Sequence, residues 1–193
     1  MEMSDKIEPL IKRAFLVLAA VLLLAGTGYA PEHTAGYRME MDAMRPLLSA
    51  LNGYYGYQRL LKEVGSDETL EVIRIIENSR YPEMVRAIIE VESSWRVRAK
   101  SNRDARGLMQ IREIAAREIV PDLDPDDLYD PVLNVRIGVR IFERHMKYFT
   151  AYPDAEHWAL TSYNRGRKGA FSLKSSTPRT RYSNKVLSKT LKA

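Results

Sequence analysis

Residues 82–111 read PEMVRAIIEVESSWRVRAKSNRDARGLMQI. Pro82 suits the first turn of a helix, where its missing N–H costs nothing. Val85, Ile88 and Ile89 then recur at helical spacing, and Glu92 falls next on the same stripe while Glu90 points away. A carboxylate on an apolar stripe is costly to ionise, so its pKa is expected to rise, and a general acid at neutral pH needs that rise. Periodicity alone also allows a second reading, in which the helix stops here and Glu92 turns to solvent at the rim. From Trp95 to Gly107 no period is sustained, and the basic polar run reads as an ordered loop or short hairpin.

Working back towards the N-terminus, Ser66 is placed to cap a helix that opens with Asp67 and Glu68 and ends near Asn78. Residues 31–65 form a helical lead-in of unassigned role, with Leu47, Leu48, Leu51 and then Leu60, Leu61, Val64 at helical spacing. Tyr54, Tyr55 and Tyr57 within it are expected to pack rather than to line a sugar site. Residues 1–30 carry Lys6, Lys12 and Arg13, the apolar run from Ala14 to Ala25, and small residues after it. That pattern fits a secretory signal, or an uncleaved anchor attached to the membrane through residues 14–30. Either is expected to place the bulk of the chain outside the cytoplasm.

Forward of the opening stretch, Ile111, Ile114, Ala115 and Ile119 mark a helix that stops before Pro121. Asp130-Pro131 is a cap followed by a first-turn proline, and it opens the longest helix, apolar over much of its circumference. A short helix is expected over 155–162, then a glycine-rich basic loop, then an amphipathic helix with Val186, Leu187 and Leu191. No repeat or strong strand alternation appears. The fold class expected is mainly α, with at most a small β-hairpin near 97–110 and an N-terminal signal or anchor helix. The domain proper spans 66–193.

The 193 residues include no cysteine, which excludes disulfides, thiolate metal sites and a cysteine nucleophile. His33, His145 and His157 lack metal-site spacing. A net charge of +5 and a pI of about 9.4 point to an anionic partner. The tail from His157 onward has no Asp or Glu against nine Lys or Arg, either a basic wall beside a groove or a solvated face. Nucleic acid would fit the charge, yet no recognition helix or single-strand motif accompanies it.

Four ordered blocks resemble the lytic transglycosylase catalytic domain, a lysozyme-like fold related to goose-type lysozymes. They are Glu92-Ser93 with Ala99, Ser101 and Gly107-Leu108-Met109-Gln110-Ile111; Asp127 to Asn134 with Gly138; Ser162-Tyr163-Asn164-Arg165-Gly166; and Thr180-Arg181-Tyr182 with Lys185-Val186. The resemblance covers about residues 68–190. This chain departs from the family pattern at Ser162, where alanine is usual, and at Val97 and Asp104, where proline and glycine are common.

The resemblance implies cleavage of the β-1,4 bond between N-acetylmuramic acid and N-acetylglucosamine in peptidoglycan, with Glu92 as the single acid and base and Tyr163 hydrogen-bonded to it or to the substrate. Met109 and Gln110 would line the glycan groove, with Ser101, Asn164 and Tyr182 as further substrate-binding residues. It implies no cofactor, no metal, a monomer, and glycan strands as the partner. Trp95 either borders a sugar subsite or plugs the core. Two alternatives stay open: a hydrolase of the goose-type lysozyme kind, for which Asp104 is the nearest second carboxylate, and a non-catalytic glycan-binding scaffold.

Overall fold

The computed structural model describes residues 55–173 and 178–190. The expected export segment and nearly all of the lead-in up to residue 54 lie outside them. Gly56–Ala193 forms one compact unit. Among the described residues no helix is long and apolar enough to cross a membrane.

A helical segment, α1 (residues 55–64), contributes the fully buried Leu60 to the same core as the rest of the unit. Next comes α2 (Ser66–Glu77), which buries Val72 and Ile76. Its N-cap is Gly65 rather than Ser66. At φ 86° that glycine turns the chain, and no side chain caps the helix. Helix α3 (Pro82–Glu92) opens on its proline and buries Val85, Ile88 and Ile89 completely. It ends at Glu92, because Ser94 (φ 51°) and Trp95 (φ 64°) are both left-handed. Trp95 is 1% exposed and sits in the core, edge-on to Tyr57 at 5.2 Å. A Cβ on Gly56 would come within 2.1 Å of its ring, so only glycine admits the indole there.

The expected hairpin reduces to two isolated bridges, Lys100 with Arg106 and Arg106 with Ile111. Asn134 ties this loop to the long helix. It is fully buried, accepts from the Met109 N–H at 2.8 Å, and donates to the carbonyls of Arg106 (2.9 Å) and Leu128 (2.8 Å). Gly107 (φ 76°) lies over it, and a Cβ there would meet the Asn134 amide at 2.2 Å.

The helix expected over 111–119 is one turn only, α4 (Glu113–Ala116). Ile114, which the spacing assigns to a core face, is 71% exposed. After a 3-10 turn (Pro125–Tyr129) comes α5 (Pro131–Phe149), capped by Asp130 through the Leu133 N–H at 2.8 Å. It packs against α2 and against α6 (Ala155–Phe171). Helix α6 does not stop near Ser162: it continues through a kink at Gly166 (φ 73°) to Phe171. The basic residues read as a loop sit on its exposed side, which costs a helix nothing. Finally α7 (Arg181–Leu187) begins with a capping box between Thr180 and Ser183 and packs on α3 and α6.

Candidate active site

Glu92 lies where two hollows meet. One is a cleft of about 760 Å³ walled by the 101–118 region, α5 and α6. The other, of about 500 Å³, is walled by the end of α3, α6 and α7. Glu92, Asn164 and Arg165 line both.

The helix does end at Glu92, yet its side chain is half-buried rather than fully solvated. The Tyr182 hydroxyl donates to its Oε1 at 2.6 Å. Burial raises the carboxyl pKa, and the Tyr182 hydrogen bond and the Lys185 charge pull it part of the way back. The net effect is a carboxyl whose pKa lies above its ordinary value.

Tyr163 donates to the Met109 carbonyl at 2.8 Å rather than to Glu92, and its ring meets Phe142 edge-on. Burial, reinforced by the Glu92 charge, raises its pKa well above the ordinary phenol value, so it stays neutral. Met109 does not line the cleft with its side chain. It is fully buried, and a Cβ on Gly138 would come within 2.3 Å of its sulfur. Its backbone shapes the site instead, holding Asn134 on one side and Tyr163 on the other.

Gln110 forms part of the cleft wall in a left-handed conformation (φ 48°). Its Nε2 donates to the carbonyls of Ala99 and Gly107, each at 3.0 Å, which commits both N–H donors and leaves Oε1 as the acceptor. The Ser101 hydroxyl accepts from the N–H groups of Arg103 (3.2 Å) and Ala105 (3.1 Å), so it builds the loop as well as lining the cleft. Asn164 is exposed on the wall shared by both hollows.

Asp104 is not a cleft residue. It is exposed and paired with Lys100 at 2.9 Å, which holds its carboxyl below the usual range. The second carboxylate that does line the cleft is Glu118, bound by Arg144 at 2.6 Å. Nothing in the sequence marked Glu118, Arg103, Arg112, Arg144, Ile114 or His145 as cleft residues, whereas Arg165 falls in the third block and Arg167 only in the acid-free tail. His145 is buried with its pKa lowered to about 4, chiefly by burial and then by the charges of Arg144 and Arg167, so it is neutral at pH 7. Among the described residues no three His, Asp or Glu side chains converge as a metal site.

The profile of the transglycosylase SLT domain matches residues 75–185, more than half of the chain, and takes in the blocks above apart from Val186 at the end of the last. The chain belongs to the transglycosylase SLT domain family. Solved structures agree on the fold of this SLT domain. The 70 kDa soluble lytic transglycosylase of Escherichia coli superposes with a TM-score of 0.53 at 22% identity, covering 62% of this chain and 23% of that one. An inactive glutamate-to-glutamine mutant of the lytic transglycosylase Slt from Pseudomonas aeruginosa gives 0.53 at 16% identity, covering 95% and 36%. The chain therefore spans about a quarter to a third of the length of these proteins. None of the curated protein sequences matches it.

Tyr182→Phe tests the hydrogen bond to Glu92. That bond lowers the Glu92 pKa, so its loss leaves burial less opposed and moves the pKa further up. If Glu92 is the general acid, its protonated form donates the proton, and activity falls as pH rises through this pKa. The alkaline limb of the pH–rate profile is expected to shift to higher pH, while kcat drops about tenfold because the carboxyl is no longer held in place. A lower kcat with an unmoved limb would show that Tyr182 does not act through Glu92.

Proposed function

We propose that this SLT domain is a peptidoglycan lytic transglycosylase that works with one carboxylate. Glu92 protonates the glycosidic oxygen between N-acetylmuramic acid and N-acetylglucosamine. The substrate's own acetamido group supports the positive sugar carbon, and the ionised Glu92 then removes the proton from the muramoyl 6-hydroxyl, which closes a 1,6-anhydro ring. Neutral Tyr163, fixed on the Met109 carbonyl, supplies a rigid wall for the reacting sugar, and Tyr182 holds Glu92. Gln110, Ser101 and Asn164 contact the strand.

The observation that carries this reading is the cleft's carboxylate set. Inverting and retaining hydrolases both use two carboxyl groups, one an acid and the other a free base or nucleophile. Here Glu92 meets the first requirement, and the other cleft carboxylate, Glu118, is engaged by Arg144. Glycan strands of the envelope are the substrate, so the protein acts in the periplasm or at the cell envelope.

The products distinguish this from the hydrolase reading. Strands cut by the protein are treated with borohydride and analysed by mass spectrometry. New ends that resist reduction are 1,6-anhydro ends and support the proposal. New ends that reduce are hydrolytic and assign the protein to the lysozyme-like alternative. Wild-type protein that cuts no faster than Glu92→Gln would favour a non-catalytic glycan-binding role.

A further inference from the structure

Five arginines line the cleft: Arg103 and Arg112 on the loop side, Arg144 on α5, and Arg165 and Arg167 on α6. Arg144 is bound by Glu118. The other four are solvent-exposed and form no ion pair with any described residue, although Arg167 lies over the Tyr148 ring at 5.0 Å. Glu118 is thus paired, and Glu92 is half-buried at the junction of the two hollows, which Arg165 also lines. Like charges held on the walls of one concave site repel each other, and they focus a positive field into the space between them. The guanidinium fork matches a carboxylate with two parallel hydrogen bonds, a fit that a lysine ammonium lacks.

The sugar rings of the strand offer hydroxyl and acetamido oxygens as hydrogen-bond acceptors but no charge for such a site to pair with. The peptide side chains borne by the muramoyl residues do carry carboxylates. Resting on the proposed activity, we infer that the cleft selects glycan strands whose peptides carry free carboxylates, held between Arg103 and Arg112 on the loop side and Arg165 and Arg167 on α6. The exposed Ile114 in the cleft lining gives the peptide's uncharged portion a surface to lie on.

Conversion of the carboxylates to primary amides tests this, because it removes charge while keeping the shape of the peptide. Binding of soluble strands is measured with full-length Glu92→Gln protein, so the readout does not depend on turnover. Free-acid strands are expected to bind about tenfold more tightly than amidated ones, the equivalent of one well-placed charged contact. Adding Arg103→Gln and Arg167→Gln, one substitution from each side, is expected to bring the two affinities within about twofold at an unchanged melting temperature. Equal binding of both strands before the arginines are changed overturns the inference, as does a tenfold preference that survives their loss. Wild-type cleavage of the free-acid strands is followed in parallel. Its absence would sink the proposed reaction while the binding ratio still decides the selection.

Discussion

Glu92→Gln is expected to leave a folded protein that cleaves glycan strands about a thousandfold more slowly than wild type, within the range set by loss of a positioned general acid. The amide matches the carboxyl in size and can still accept the Tyr182 hydroxyl proton at the position of Oε1. It is also cheaper to bury than a carboxylate, so stability is expected to be unchanged or slightly higher, which a melting curve would check. What the amide lacks is a proton to give to the leaving oxygen and a lone pair basic enough to take one back. Both halves of the proposed reaction therefore fail together. Residual activity within tenfold of wild type would mean that another group supplies the proton, and Glu118 would become the first candidate.

Asn134→Ala is expected to have the largest effect on stability, about 3–5 kcal/mol. The wild-type side chain satisfies three backbone groups from two segments: the Met109 N–H and Arg106 carbonyl of the loop, and the carbonyl of Leu128. Truncation strands them in a site with no exposure, at about 1–3 kcal/mol each before relaxation. Against a typical total of about 5–15 kcal/mol, that is a large fraction. Asn134→Asp is not expected to rescue, since a carboxylate keeps the acceptor but places negative charge against two carbonyl oxygens. Urea unfolding midpoints measure both. Activity should fall as well, because the Met109 carbonyl that anchors Tyr163 belongs to the loop Asn134 holds. A loss below about 1 kcal/mol would show that the loop finds other partners.

Much of this architecture follows from local chemistry. Pro82 and Asp130-Pro131 start their helices where capping chemistry places them, and the stripe that ends at Glu92 reports a real asymmetry of burial. Where the reading fell short, the missing information was long-range. Periodicity marks an apolar position but not what lies opposite it, so Ile114 reads as core although it faces the cleft. Gly166 with its basic neighbours reads as a loop, because sequence alone does not reveal that one glycine at φ 73° can bend a helix without ending it. The resemblance sets Tyr163 against Glu92 or the substrate and places Tyr182 among the substrate-binding residues. The partner is Tyr182, ninety residues away, while Tyr163 bonds the Met109 carbonyl. Met109 sits in the block read as groove wall, yet its side chain is buried and its backbone does the positioning. Block patterns locate a site, whereas the division of work between side chain and backbone depends on packing.

The central claim is that Glu92 closes the muramoyl ring on its own hydroxyl and that no water enters the product. Cleavage in water enriched with heavy oxygen tests it most directly. The account predicts newly formed muramoyl ends without heavy oxygen, each lighter by one water than a reducing end. One heavy oxygen incorporated at each new end would show that water attacks the sugar, and would contradict it.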